Sequence, residues 1–225
     1  MKFTRYALYY TPPPGPLAEF GAAWLGWDPA RGRACAHPDL GLALAGITAT
    51  PRKYGLHATM KPPFRLAPGA TEAALSDALA RFCAARRAVP LDALDLAPLG
   101  GFLALRPRGD TRALDALAAE TVRAFDPFRA PLTEAEIARR RGTGLSPAHE
   151  ANLRDWGYPY VMDAFRFHIT LTGPLPPETR DEVAARLAPL LAPLLPRPFA
   201  IDALSLMGED GEGRFHLIHR HSLSA

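Results

Sequence analysis

The sequence predicts an α+β fold: a bilobal, duplicated unit in which two antiparallel sheets flank a central cleft and helices pack on the outside. Three observations carry this expectation. The order strand, proline stop, amphipathic helix, strand, glycine-rich turn, strand occurs twice along the 225 residues, and a repeated supersecondary order marks a duplicated architecture. The copies match in length, with 45 residues from His57 to Phe102 and 47 from His168 to Phe215. Each copy opens on a strand of alternating polar and apolar residues, so one face can pack against helices while the other stays open. The whole chain, 1–225, reads as one bilobal domain whose lobes are not separable in sequence, with the heading motifs at 57–60 and 168–171.

The first strand is Arg5 to Tyr10, closed by Pro12-Pro13-Pro14-Gly15, a stretch that cannot sustain a ladder. A short helix follows over Leu17 to Leu25. Residues 26 to 52 read as irregular, with Asp28-Pro29 and His37-Pro38-Asp39 as turn signals. Tyr54 to Met60 is the next strand, and Pro62-Pro63 is expected to end it because proline removes the amide donor. Ala74, Leu75, Ala78, Leu79 and Phe82 recur at three- and four-residue spacing, which predicts a helix over Thr71 to Arg87, with Thr71 and Glu72 at its start. Leu91 to Leu96 and Phe102 to Arg106 read as strands about the loop Pro98-Leu99-Gly100-Gly101. Helices at Thr111 to Phe125, Thr133 to Arg141 and Ala148 to Trp156 precede a strand at Phe165 to Thr172, stopped by Gly173-Pro174. A helix at Pro177 to Leu195 starts on a proline whose missing amide has no partner there anyway. Strands at Phe199 to Met207 and Arg214 to His221 close the second copy around a Gly-Glu-Asp-Gly-Glu-Gly loop.

At 48% hydrophobic and 22% charged, the composition is that of an ordinary globular chain and argues against disorder or a coiled coil. The longest apolar or small run, Leu40 to Ala49, falls well short of the ~18 residues of a membrane span, so no membrane partner is expected. The N-terminal residues enter a strand pattern at once, without an apolar leader, and read as cytoplasmic. Twenty-six basic against 23 acidic residues leave a net charge of +3, far from the imbalance of a dedicated duplex-binding protein; a small anionic substrate fits better. Cys35 and Cys83 lie in no Cys-x-x-Cys pair and make neither a disulfide framework nor a metal site.

The heading strands read His57-Ala58-Thr59-Met60 and His168-Ile169-Thr170-Leu171, both His-x-Thr-x. Alternation sets His57, Thr59 and Lys61 against Leu56, Ala58 and Met60, and sets His168, Thr170 and Thr172 against Phe167, Ile169 and Leu171. Seven histidines and 13 threonines in 225 positions predict about 0.4 such pairs by chance; two are found, in matched surroundings. If the lobes face each other about a pseudo-twofold axis, the polar faces converge on one cleft. There a neutral imidazole takes a proton from water and its protonated partner gives one to a leaving oxygen. Threonine hydroxyls donate to non-bridging phosphoryl oxygens as charge develops. The combination suits opening of a cyclic phosphodiester with no metal or other cofactor.

Paired strands of this kind in a duplicated α+β chain resemble the two-histidine, or 2H, phosphoesterase superfamily, which includes cyclic nucleotide phosphodiesterases and RNA 2′,3′-cyclic phosphodiesterase/ligase-like proteins. Three longer blocks, Arg5 to Tyr10, Tyr54 to Phe64 and Phe165 to Leu175, look like the branch encoded beside phosphonate-degradation genes. The resemblance implies His57 and His168 as the catalytic acid/base pair and Thr59 and Thr170 as phosphate-holding hydroxyls. Tyr54 and Lys61 belong to the matched blocks and are expected substrate contacts, with Thr172 beside them on the polar face of the second strand. Strand parity sets Tyr54 opposite His57 unless Gly55 breaks it. The expected partner is a small phosphorylated substrate, such as a cyclic phosphate of a phosphorylated sugar; an RNA end bearing a 2′,3′-cyclic phosphate is the alternative. A non-catalytic RNA- or nucleotide-binding module is a third reading, but it predicts loss of one histidine, and both are present.

Other features are set aside. His219 and His221, with His216 nearby, have chelating spacing but no further ligand at a diagnostic distance. Arg139-Arg140-Arg141 reads as a solvated basic helix end. Trp24, Trp27 and Trp156 read as packing residues. Gly142-Thr143-Gly144 lacks the lysine of a phosphate loop.

Overall fold

Two kinds of side chain alternate along the first strand of the computed structural model, which describes residues 2–142 and 144–225. In β1 (Arg5–Tyr10), Tyr6, Leu8 and Tyr10 enter the main apolar core, while Ala7 and Tyr9 join a small cluster on the other face. Period two thereby divides the sheet into a helix-covered face and a second face, open at the half-buried motif residues it carries, although Ala7 and Tyr9 are themselves buried in its small cluster. Thr143, the middle residue of Gly142-Thr143-Gly144, lies outside the described residues.

After α1 (Pro16–Leu25), residues 26 to 52 hold the hairpin β2 (Trp27–Asp28) and β3 (Arg33–Ala34), one helical turn, α2 (Leu44–Ile47), and the start of a 3-10 turn at Pro51. Side chains substitute for regular structure there: the indole of Trp24 donates to the Leu171 carbonyl at 2.8 Å, and Arg52 Nε donates to that of Leu25 at 3.0 Å. The first copy continues through β4 (Ala58–Phe64), α3 (Glu72–Ala84), β5 (Val89–Leu91), β6 (Ala93–Leu99) and β7 (Phe102–Arg108). Helices α4 (Arg112–Phe125), α5 (Glu134–Arg141) and α6 (Pro147–Trp156) connect it to the second copy. That copy comprises β8 (Ile169–Thr170), α7 (Pro177–Leu191), β9 (Phe199–Ile201), β10 (Ala203–Glu209) and β11 (Phe215–Ser222).

The fold is α+β with antiparallel pairing throughout, as the order of elements predicts. The main sheet runs β11-β10-β1-β4-β8-β7-β6, and two-stranded sheets β2-β3 and β5-β9 flank it. Its two halves, β11-β10-β1-β4 and β8-β7-β6, meet edge to edge through one residue pair, Ala58 opposite Ile169. The copies exchange hairpins. β6-β7 from the first copy pairs with β8 of the second, and β10-β11 from the second pairs with β1, beside β4 of the first. Leu75 and Leu79 of α3, Leu114 of α4, and Val183 and Leu187 of α7 are fully buried in the same core as Leu8 and Ile169. Each such side chain contributes ~1.5–3 kcal/mol of burial free energy. Thr71 caps α3 by accepting from the Ala74 amide at 3.1 Å, and Thr133 with Glu136 forms a capping box on α5.

Three local expectations are corrected. Pro62-Pro63 does not stop the strand; β4 runs through both prolines to Phe64. The register with β1 steps from Tyr9 opposite Thr59 to Leu8 opposite Lys61 and then to Tyr6 opposite Phe64. Two bulges therefore absorb extra residues, and a bulge tolerates a missing donor. The strand expected over Phe165 to Thr172 shrinks to Ile169–Thr170; past its C-terminal end the Leu103 amide takes the side-chain hydroxyl of Thr172 at 3.0 Å in place of a ladder carbonyl. The loop between β6 and β7 tightens to Gly100-Gly101, since Pro98 and Leu99 still pair with Leu103 and Phe102.

Candidate functional site

The Ala58–Ile169 pair organises the open face. Continuing its antiparallel register by one residue in each direction sets His57 opposite Thr170 and Thr59 opposite His168. Ala58 and Ile169 point into the helix-covered core, so all four intervening positions point the other way. Each histidine stands across from the threonine of the other motif, and the two histidines are diagonal neighbours. Side chains of directly opposed residues start ~5 Å apart and diagonal ones ~7–8 Å apart, close enough for both imidazoles to reach one phosphoryl group. All four residues are half-buried while Ala58 and Ile169 are fully buried.

The two rings are held alike. His57 Nδ1 lies 2.9 Å from the Gly55 carbonyl, and His168 Nδ1 lies 2.8 Å from the Arg166 carbonyl. A carbonyl only accepts, so each Nδ1 carries the hydrogen and each ring is left with Nε2 as the nitrogen for proton exchange, a lone pair when neutral and a donor when charged. At His57 that nitrogen accepts from the Thr59 hydroxyl at 3.3 Å. Gly55 makes the first anchor possible. Its φ of +69° is left-handed, and a Cβ there would meet Pro29 Cγ at 2.6 Å.

Their surroundings differ. The His57 ring stacks on Tyr9 at 4.0 Å between centroids and lies 5.5 Å from Tyr54, whereas His168 has the tilted ring of Phe102 at 5.8 Å. Burial pushes the His57 pKa down to about 4; its hydrogen bond to Gly55 opposes the fall and the nearby His168 adds to it. His57 is therefore neutral at ordinary pH.

Tyr54 reaches the open face although parity sets it opposite His57. Residues Pro51–Tyr54 form a 3-10 turn, and the left-handed Gly55 breaks the alternation before β4 begins. Lys61 is corrected. The bulge at Met60 turns it to the core side, where it is 1% exposed, with Nζ 3.1 Å from the Val122 carbonyl and 3.2 Å from Asp126. Burial lowers its pKa to about 8 against the pull of Asp126. Thr172 is corrected too: it is 1% exposed, with its hydroxyl engaged by the Leu103 amide. Neither side chain borders the open face. Sequence reasoning missed Tyr9 and Phe102, because which strands neighbour the motif strands is set by long-range pairing. The Gly55 signal was present as a break in alternation.

His216 is engaged by Asp210 at 2.7 Å, and among the described residues no three His, Cys, Asp or Glu side chains converge as a metal site. Among those residues, too, no helix is long and apolar enough to cross a membrane.

Fold and site together define an antiparallel α+β protein with two His-x-Thr strands set side by side at the seam of its sheet. The chain belongs to the family described as "Protein of unknown function (DUF1045)", whose profile matches residues 59–216. It is 41% identical over 219 residues to a ribose 1,5-bisphosphate phosphokinase PhnN of Janthinobacterium sp. (strain Marseille), a match covering 93% of this chain and 48% of that protein. A protein of the same name from Laribacter hongkongensis (strain HLHK9) is 44% identical over 176 residues, covering 76% of this chain and 40% of that one. The chain thus spans less than half the length of these curated relatives. Two solved structures align over the whole of both chains: a phosphoesterase, 17% identical with a TM-score of 0.44, and E. coli LigT complexed with NADP+, 15% identical with a TM-score of 0.43.

Proposed function

We propose that this protein is a phosphoesterase that hydrolyses a small cyclic phosphodiester, such as a cyclic sugar phosphate met in phosphonate breakdown. The observation that carries the reading is the crossed pairing about Ala58 and Ile169, which lets two imidazoles and two hydroxyls address one phosphorus. His57, held neutral, is the base once the Thr59 hydroxyl turns from its Nε2 to the phosphoryl oxygens. It takes a proton from water as the water oxygen bonds to phosphorus. The ring P–O bond breaks, and protonated His168 delivers a proton from Nε2 to the leaving alkoxide. Thr59 and Thr170 donate to the non-bridging oxygens, where charge shifts in the transition state. No step calls for a metal. A sugar phosphate agrees with the phosphorylated ribose in the printed name of the longer relatives.

The deciding experiment is a hydrolysis panel in the presence of a chelator, comparing a cyclic sugar phosphate, a cyclic mononucleotide and an oligonucleotide ending in a 2′,3′-cyclic phosphate. Turnover of the small cyclic esters is expected. Preference for the oligonucleotide replaces this reading with RNA end-processing, and ligand recovered unchanged after calorimetric binding replaces it with a binding module.

A further inference from the structure

Two residues of the run Arg139-Arg140-Arg141 behave as a solvated helix end: Arg139 and Arg141 are exposed, and Arg141 bonds Glu150. Arg140 does not. It is half-buried, and among the described residues its guanidinium meets no carboxylate; its recorded hydrogen bond runs from Nη1 to the Glu136 backbone carbonyl at 3.4 Å. A cation partly withdrawn from water without a counter-charge is unfavourable. Burial accordingly lowers its pKa, with Glu136 opposing and Arg139 and Arg5 adding to the effect.

The neighbouring carboxylates are committed elsewhere. Glu136, one turn earlier on α5, accepts from the Thr133 amide at 2.8 Å and from Arg65 Nη2 at 3.0 Å. Glu209 is held by Arg5. Three arginines, Arg5, Arg65 and Arg140, therefore share two carboxylates, and Arg140 is the one in excess.

This excess charge stands at one end of the open face. Arg5 shares that face with Tyr9, ~13 Å along β1 at the usual rise per residue. The pairing of Tyr6 with Phe64 brings Arg65 to the same end, and the Arg65–Glu136 bond ties α5 over it. Tyr54 lies between the two ends: its ring is 5.5 Å from His57 and stacks at 5.1 Å on Phe215, which pairs across the strands with Glu209, the carboxylate that holds Arg5.

We infer that Arg140 is a specificity residue for a second anionic group on the substrate, a phosphate monoester bound at the Arg5 end of the open face while the cyclic ester lies between the histidines. This rests on the phosphodiesterase reading. A guanidinium suits such a group because it can present two parallel N–H donors to phosphate oxygens, and a monoester dianion offers more charge than a diester.

The test uses matched probes, adenosine 2′,3′-cyclic phosphate with and without a 5′-phosphate, and a dinucleotide ending in the same cyclic phosphate. Rates are measured for the unaltered chain, Arg140→Ala and Arg140→Lys, with melting temperature as the folding control. The 5′-phosphorylated probe is expected to win by about tenfold in kcat/KM, carried by KM, as expected for binding energy common to ground and transition states. In Arg140→Ala that ratio falls towards one, and Arg140→Lys recovers part of it. Hydrolysis of both mononucleotides with equal kcat/KM overturns the inference and leaves the phosphodiesterase reading standing. A dinucleotide preferred over both overturns it in favour of RNA. If neither these probes nor a cyclic sugar phosphate is hydrolysed, the function reading fails; tighter calorimetric binding of the 5′-phosphorylated probe, lost in Arg140→Ala, then still upholds the anion site, and equal binding removes it.

Discussion

His57 and His168 head copies of one motif and are anchored through Nδ1 to backbone carbonyls two residues back, yet they stand in different environments. His57 is stacked on Tyr9 and follows a left-handed glycine into a seven-residue strand. His168 immediately precedes a two-residue strand, with one tilted aromatic neighbour. Strand alternation fixed which way the two imidazoles point, whereas the flanking rings set how readily one of them takes a proton. Duplication therefore yields two similar groups whose surroundings can assign them opposite tasks in one reaction.

The largest expected effect tests whether the pair acts as a unit. His57→Ala and His168→Ala should each lower kcat/KM on a cyclic ester by on the order of 10²-fold or more. The double variant should be little worse than either single one, since partners in one proton relay are non-additive. Full activity in either single variant, or multiplicative losses in the double, would break the assignment.

The contrast in environment is sharpened by pH. An unfolded histidine titrates near 6.5 and folded His57 at about 4. Between those values the unfolded chain holds the extra proton, so stability should fall as pH drops through that window. The expected loss is on the order of 3 kcal/mol, read as melting temperature against pH. His57→Gln should flatten that dependence; an unchanged slope would show that other groups produce it. The acid limb of kcat/KM should likewise lie close to pH 4.

Lys61 offers a smaller effect that separates core from cleft. Lys61→Met should cost about 2 kcal/mol, below the ~3–5 kcal/mol of an abandoned buried charge, because Asp126 keeps Arg129 at 2.8 Å. Chemical denaturation measures that loss, while kcat/KM should stay within about threefold; a collapse in KM would return Lys61 to the substrate. Smallest is Thr172→Val, which strands the Leu103 amide and should cost about 1–2 kcal/mol by the same measurement. No loss would mean the amide finds another partner.

What the sequence made legible follows from periodicity. Arg5–Tyr10 is found with its bounds unchanged, and Thr71 and Thr133 start the helices they were expected to start. The repeat predicted the paired motifs. It was silent on the exchange of hairpins, because alternation states which face a residue takes and says nothing of which strand lies beside it. Lys61 was misread for a related reason: one extra residue in β4 inverts the positions that follow until a second bulge restores the alternation by Phe64, and no local residue type announces either bulge. Tyr54 and Gly55 show the opposite case, where a glycine in the pattern did carry the information.

The pairing of Arg5 with Glu209 has a consequence for assembly. The strand that positions Tyr9 beneath His57 has β10 as its other neighbour, from the far end of the second copy. A nascent chain that has completed the first copy possesses both ingredients of one half-site but lacks half the scaffold around them. Such distant pairings slow folding, so competence should emerge late, in a single cooperative step that follows synthesis of β10 and not in two instalments.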